Sequence, residues 1–247
     1  MLLNELVLYI NMKDMSFKKI TPRIKCKSDY LSMILDIMEN IIVHDNDIIL
    51  NGKISDNCNL AITDDRAYVK FDMNKIVSIS FPFGYSKEGS IFHYEKDIIE
   101  MKTLSHLRTL LQVVNSNGLS SETLEICNDG VDSDSDEYIT DSDMKLFTRI
   151  LLIEPSYIRY DYDERNCNEY THPLNHFNVN YTESSSYMLG LKRRITLKEF
   201  IKIIKGSEGV VQLKYPSKTN YRLCKNRLKI FLRRLVSISK WVTAKTK

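Results

Sequence analysis

A series of short β-rich segments in the first third of the chain most constrains its fold. These segments are rich in β-branched and aromatic residues and comprise residues 48–50, 60–63, 67–71 and 76–81. Asn51-Gly52 and Asp64-Asp65 lie between them and are typical of tight turns. Short strands that are joined by such turns predict a small antiparallel meander.

Helical periodicity occurs on both sides of this meander. Ser28 is placed to cap a helix through residues 30–40, and apolar residues recur at helical spacing over roughly 94–114. Later in the chain, Thr196-Leu-Lys-Glu199 forms a capping box, in which a hydroxyl and a carboxylate satisfy free amides at the start of a helix. This helix is predicted to end at Gly206, because glycine is favoured just past a helix C-terminus.

A polar and acidic stretch divides the chain. Residues 115–143 break the periodic pattern and are predicted to form a surface excursion. Four candidate strands follow, over residues 146–153, 157–163, 172–181 and 186–191. We therefore predict one α+β domain over residues 1–247, with a mostly antiparallel sheet and helices packed on one side of it. Sub-lobes over 1–114 and 144–247 are the alternative division.

Composition and motif content narrow the class of protein. No run approaches the roughly 18 apolar residues that span a bilayer. The five cysteines are scattered without a Cys-x-x-Cys pair, and Glu5 stands where a secretory signal would carry basic residues. We therefore expect a cytoplasmic protein with reduced thiols. The sequence contains no Walker, Gly-x-Gly-x-x-Gly, Gly-x-Ser-x-Gly or His-Glu-x-x-His motif. It therefore gives no support to an NTPase, a nicotinamide-dependent enzyme, a serine hydrolase or a zincin.

The segment that begins at His172 concentrates two of the five histidines within five residues. If the segment is a strand, His176, Asn178 and Asn180 share one face. Such a face is solvated, hydrogen-bonded to neighbouring residues or part of a site, because unpartnered polar groups are costly to bury. His172 and His176, with Asn178 beside them, are the candidate catalytic residues, since histidine titrates near neutral pH and can transfer protons.

Two carboxylates precede these histidines. Asp161 and Asp163 share one face of the predicted strand 157–163 with Arg159. Carboxylates on one face can hold a divalent ion such as magnesium or manganese for phosphodiester cleavage, and the two histidines could complete its ligand set. The alternative, which we favour, is a solvated edge face on which the charges pair with one another.

The histidine segment resembles an uncharacterised bacterial domain family with a His-Pro-x-x-His-x-His pattern, which precedes a strand and then a helix with Phe-Ile near its start. The matching positions are His172-Pro173, His176 and Thr196-Leu-Lys-Glu-Phe200-Ile201, while Asn178 stands at the third histidine. The resemblance covers roughly residues 145–205. It implies a component of a bacterial phage-defence locus, in some cases beside a helicase, and brings no assigned activity.

Charge is distributed unevenly along the chain. Residues 191–247 contain 17 lysines and arginines against two acids, a balance of +15, while the first 190 residues have a balance of −12. A polyanionic partner for the tail is one explanation, and neutralisation between parts of the chain is the other. Candidate nucleic-acid-binding residues lie in a basic run and on one face of a terminal helix predicted over 220–242, and comprise Lys192, Arg193, Arg194, Arg222, Lys225, Lys229 and Arg233. Such a helix can also pack on the core, or lie on an anionic membrane or an acidic protein groove.

These observations lead to two functional hypotheses. The first is a cytoplasmic component of bacterial anti-phage defence that acts on nucleic acid as a nuclease, with a helicase as its partner. Its defence context comes from the resemblance and not from composition or spacing. The second is a non-catalytic interaction subunit that docks a larger motor protein through its acidic middle and basic tail.

Overall fold

The computed structural model describes residues 8–10, 23–50, 58–63, 65–71, 74–120, 122–123, 139–168, 170–180, 187–207 and 213. The acidic residues 124–138 and the predicted terminal helix, with Arg222, Lys225, Lys229 and Arg233, lie outside the described residues. In the part of the chain that is described, no helix is both long and apolar enough to cross a membrane.

Eleven strands and four α-helices make up the described part of the chain. The strands are β1 (Leu8–Ile10), β2 (Ile48–Leu50), β3 (Leu60–Thr63), β4 (Arg66–Lys70), β5 (Lys75–Ser80), β6 (Gly84–Ser86), β7 (Ile91–Tyr94), β8 (Asp97–Ile99), β9 (Ile158–Tyr162), β10 (Asn175–Val179) and β11 (Tyr187–Gly190). The helices are α1 (Lys27–Val43), α2 (Met101–Asn117), α3 (Asp141–Leu152) and α4 (Leu197–Ile204). The predicted α+β class is confirmed.

Eight of the strands form one antiparallel sheet in the order β11-β10-β9-β5-β4-β3-β1-β2, and β6, β7 and β8 form a second sheet. The predicted meander is confirmed for β3, β4 and β5, which pair as successive neighbours, but its first segment, β2, is separated from β3 by β1. β9 pairs with β5, with Val77 opposite Arg159 and Lys75 opposite Asp161. Strands from both sides of residues 115–143 therefore belong to one sheet.

The eight-stranded sheet carries helices on both faces, so the prediction that helices pack on one side is wrong. Side chains alternate along a strand, and β4 therefore directs Val69 to one face and Tyr68 to the other. α1, α2 and α3 belong to the apolar core on the Val69 side, here called the three-helix face. α4 packs on the Tyr68 side, the α4 face, through Leu197, Phe200 and Ile201.

The strand predicted over residues 146–153 is wrong, because this segment forms most of α3. The helix begins with a capping box at Thr140 that was not predicted from the sequence. The Thr140 hydroxyl accepts a hydrogen bond from the Asp143 amide, and the Asp143 carboxylate accepts one from the Thr140 amide. A short apolar run does not by itself distinguish a buried strand from a buried helix.

The predicted bounds of α2 and of the surface excursion also change. The sequence predicts a helix over roughly 94–114, but α2 begins at Met101, because Tyr94 and residues 97–99 form the β7–β8 hairpin. The turn of this hairpin contains Glu95 with a φ of 53°, which does not continue a right-handed helix. α2 runs to Asn117, so the interruption between helices is shorter than residues 115–143.

Packing of α4 can be tested at Phe200, whose side chain is fully buried and lies 5.6 Å from Phe177 and 6.1 Å from Tyr68 between ring centroids. Phe200→Ala is expected to lower the free energy of unfolding by about 3–5 kcal/mol, because it removes a large apolar group and leaves a cavity. Chemical denaturation measures this loss. Leu152→Ala, at a side chain that is 79% exposed, is the control and is expected to change stability by less than about 0.5 kcal/mol. Similar losses in both variants would contradict this packing.

Candidate functional site

The predicted site residues lie on β9 and β10, which pair with each other inside the eight-stranded sheet. Their register places His176 opposite Asp161 and Asn178 opposite Arg159. All four side chains lie on the three-helix face, since Arg159 is opposite Val77 of the core on that side. The prediction that His176 and Asn178 share a face is confirmed. Asn180 lies beyond β10 with a φ of 69° and does not extend the row.

Asp161 is the centre of a buried polar network. Arg159 donates to both carboxylate oxygens, with Nη2 2.7 Å from Oδ2, and Asn178 Nδ2 donates to Oδ2 at 2.9 Å. Arg159 also donates from Nη1 to the Tyr157 hydroxyl at 3.1 Å. Asp161 is 5% exposed and Asn178 is 8% exposed. The charges pair as predicted, but the prediction of a solvated edge face is wrong because β9 lies between β5 and β10.

Burial and charge act in opposite directions on the Asp161 carboxyl. Burial alone would raise its pKa, because the charged form is poorly solvated there. The hydrogen bonds and positive charge of the Arg159 guanidinium outweigh this effect and hold the pKa of Asp161 below its usual range. The carboxylate is therefore ionised at neutral pH and balances the charge of Arg159.

His176 is fully buried and is held in place by its own segment. Its Nδ1 lies 2.6 Å from the carbonyl oxygen of Pro173, and because a carbonyl only accepts, Nδ1 carries the proton. Nε2 lies 3.6 Å from Oδ2 of Asp161, beyond hydrogen-bond range, and has no other partner in the described part of the chain. With 0% of its side chain exposed, His176 does not reach a substrate in this arrangement.

His172 forms a second histidine–carboxylate pair nearer the surface. Its Nε2 lies 3.2 Å from Oδ2 of Asp163, and its side chain is 27% exposed. A carboxylate accepts, so Nε2 carries the proton and Nδ1 is the acceptor in the neutral ring. The rings of His172 and His176 meet edge to face, with centroids 4.7 Å apart. The two predicted histidines therefore converge, and each faces one of the two predicted carboxylates.

Asp163 is fixed by the turn that follows β9. Its Oδ1 accepts from the Arg165 amide at 2.9 Å and the Asn166 amide at 3.0 Å, and its Oδ2 accepts from Asn166 Nδ2 at 2.9 Å. Burial alone would raise the pKa of Asp163, but the Asn166 and Arg165 donors and the nearby His172 lower it to about 2. Asp163 is therefore a preorganised acceptor for the His172 ring.

The metal hypothesis requires several ligands that face one point. Within the described residues, no group of three or more His, Cys, Asp or Glu side chains is arranged to hold a metal ion. Arg159 and Asn178 donate to Asp161, and the turn amides donate to Asp163. The two carboxylates are thus engaged separately, and the arrangement differs from the predicted shared ligand set.

The basic run Lys192-Arg193-Arg194 forms an exposed turn between β11 and α4. Arg193 Nη2 lies 2.7 Å from Glu199 Oε1 in the first turn of α4. The Arg194 guanidinium lies 4.4 Å from the centroid of the Tyr162 ring and donates to Asn74 Oδ1 at 3.2 Å. These contacts orient the turn against both the sheet and the helix.

This turn lies at the end of the sheet that carries the His172–Asp163 pair. The Leu191 amide donates to the Asn175 carbonyl at the start of β10, at 2.8 Å. The Asp163 amide donates to the Leu174 carbonyl at 2.9 Å, which places the end of β9 beside the same point. The structure therefore brings the predicted basic run and the more exposed histidine to one end of the sheet.

A groove of about 780 Å³ lies elsewhere, between the β7–β8 hairpin and α3. Its walls include Lys96, Asp97, Lys145 and Arg149. Arg149 pairs with Asp97 and, at 2.9 Å, with Glu95. None of the predicted site residues lines this groove.

Sequence reasoning missed one buried pair and one exposed row. His106 Nδ1 lies 2.8 Å from Asp143 Oδ2, both residues are buried, and the contact joins α2 to α3. No local signal indicates that partner, because it is 37 positions away. The row consists of Lys198 and Lys202 on α4 and Lys205 directly after it, all exposed, and their helical spacing after the capping box was the available signal.

No family model, curated protein or solved structure matches the chain. The resemblance of the histidine segment to a bacterial phage-defence family therefore stays a prediction that depends on His172-Pro173, His176 and residues 196–201.

The buried network can be tested by removing the charge of Asp161. Asp161→Asn is expected to lower the free energy of unfolding by about 3–5 kcal/mol, because it leaves the Arg159 charge buried without its counter-ion. Urea denaturation at neutral pH measures the change. Asp141→Asn, an exposed carboxylate in the first turn of α3, is the matched control and should cost less than about 1 kcal/mol. A cost for Asp161→Asn no greater than the control's would show that the network contributes little.

Acid sensitivity tests the turn around Asp163. Its folded-state pKa of about 2 lies below the ordinary value, so its contribution to stability is present above about pH 4 and is lost as the pH falls towards 2. We expect the stability difference between the wild type and Asp163→Asn to shrink as the pH falls from about 4 to about 2. Denaturant titrations at a series of pH values measure it. A difference that stays constant over this range would show that the carboxylate is not stabilised in the folded state.

Proposed function

We propose that this chain is a nucleic-acid-acting component of a bacterial anti-phage defence system and cleaves nucleic acid beside a helicase partner. The observation that carries the proposal is the position of the exposed basic turn 192–194 at the end of the sheet where His172 and Asp163 pair. Arginine and lysine contacts to phosphates position a nucleic-acid backbone without reading its sequence. The defence context and the helicase depend on the resemblance alone.

His172 is the residue that we expect to transfer protons. Its Nε2–H group donates to Asp163, which leaves Nδ1 able to take a proton from the water or ribose hydroxyl that attacks phosphorus. The P–O bond to the leaving sugar oxygen breaks in this step, and that oxygen takes a proton from water. The Asp163 carboxylate fixes this tautomer and stabilises the ring once it is protonated. His176 is fully buried and its ring meets the His172 ring edge to face, so we assign it as a positioning residue. Asn178, which donates to Asp161, holds the network beneath it.

A non-catalytic interaction subunit is the second candidate, and the burial of the polar network favours it. His176, Asn178 and Asp161 lie below the surface and face one another, which is typical of a network that specifies a sheet. In this alternative the basic turn binds a polyanion or an acidic protein without any reaction. The acidic middle that would dock a motor protein, residues 124–138, lies outside the described residues.

A cleavage assay separates the two candidates. The full chain is incubated with labelled single-stranded and duplex DNA and RNA, in magnesium, in manganese and in a chelator. We expect cleavage of at least one substrate, and we expect His172→Gln to slow it by about 10²–10⁴-fold through loss of the general base.

His93→Gln, on β7 of the second sheet, is the matched control and should cleave at the wild-type rate. Equal rates for His172→Gln and the wild type would remove His172 from the reaction. If no substrate is cut in any arm, the nuclease is rejected and the interaction subunit stands.

A further inference from the structure

We infer that the solvent face of α4 is a nucleic-acid backbone-binding surface, formed by Lys198, Lys202 and Lys205 together with the basic turn 192–194. This inference rests on the proposed function and names the surface through which the partner is held. The three lysines are exposed, and they follow the basic turn directly along the chain. Together they extend a short basic turn into a basic surface along a whole helix.

The spacing of the three lysines places them on one side of α4. Positions four and three residues apart lie above one another on a helix, with about 5–6 Å between the Cβ atoms of neighbours. Lys198, Lys202 and Lys205 follow this pattern, while Phe200 and Ile201 are buried in the core on the α4 face. Long and flexible lysine side chains in such a row can reach successive phosphates along a backbone.

The charge of this region is almost entirely of one sign. Between residues 191 and 207 there are six lysines and arginines and a single acid, Glu199. Glu199 is engaged by Arg193 at 2.7 Å and by the Thr196 amide at 2.8 Å, and the first of these contacts helps to keep its pKa below the usual range. The only acid of this segment therefore orders the N-terminus of α4 and is largely neutralised there.

The three-helix face carries charges of both signs. There, Arg108 pairs with Asp36 and Glu39 of α1, and Arg149 pairs with Asp97, while Lys102 and Lys145 are exposed. A polyanion is expected to be drawn to the α4 face, because the potential of a basic surface steers oppositely charged partners.

A nucleic acid fits this surface better than an anionic membrane does. A helix that lies on a membrane inserts its apolar side among the lipids. The apolar side of α4 is already buried, with Leu197 1%, Phe200 0% and Ile201 3% exposed. The helix therefore offers charge without an insertable face, which is what contact with phosphates requires.

The test compares two triple variants of the full chain. The first variant removes the row and is Lys198→Gln/Lys202→Gln/Lys205→Gln. The control variant removes three exposed lysines from the β7–β8 hairpin, α2 and α3, with the same change in net charge, and is Lys96→Gln/Lys102→Gln/Lys145→Gln. Binding to a labelled duplex and to a single strand is measured from low to moderate salt. Thermal melting of each variant checks that it remains folded.

The slope of log affinity against log salt is negative, and we expect its magnitude to decrease by about 2–3 in the α4 variant, because each phosphate contact contributes about 0.9 on a duplex and about 0.7 on a single strand. The control variant should keep the wild-type slope. A slope in the α4 variant that equals the wild-type value would overturn the α4 surface while leaving the proposed function intact.

Two further outcomes show whether the proposed function or only the nucleic-acid partner of the α4 surface is wrong. If the wild type binds neither strand form at low salt, the proposed function and this surface fail together. If instead the wild type binds vesicles of anionic lipid, and only the α4 variant loses that binding, the surface is basic but its partner is a membrane and the inference is wrong.

Discussion

Pairing between β5 and β9 is the interaction on which the rest of the described structure depends. It joins the meander of the first part of the chain to the strands that carry the histidines, across the second sheet, α2 and α3. Its register sets Arg159 opposite Val77 and Asp161 opposite Lys75. The apolar surface that supports three helices therefore continues, on the same face, into a row of charged and polar side chains.

That polar row in turn restricts the register. A slip of one residue would move Arg159 and Asp161 to the α4 face, among Tyr68 and Phe200, because successive side chains point to opposite faces. A charge buried there without its partners would cost several kcal/mol. In the observed register, Asp161 accepts from Arg159 and Asn178, so the network favours this pairing over its neighbours. The two faces consequently differ in character, one with a buried network and one with an exposed basic helix.

Much of the fold could be predicted from local pattern. The meander and α4 follow from tight turns and a capping box, whose effects extend over only a few residues. The wrong predictions of secondary structure lie where the local sequence pattern suits both a strand and a helix. The apolar run at 146–153 suits a strand or a buried helix, and the Thr140 capping box lay inside a stretch interpreted as an excursion. The prediction of helices on one side failed because Tyr68 and Ile76 give the sheet a second apolar face.

The sequence by itself determined which side chains share a face of β9 and β10 and where the basic run lies, because both depend only on alternation and order along the chain. Only the tertiary structure decided that His176 is buried while His172 stays partly exposed, and that each histidine faces a different carboxylate. It also decided that the basic turn meets the His172–Asp163 end of the sheet. These outcomes depend on the pairing of strands that are distant in the chain, and burial is set by what packs above a strand and not by the strand's own residues.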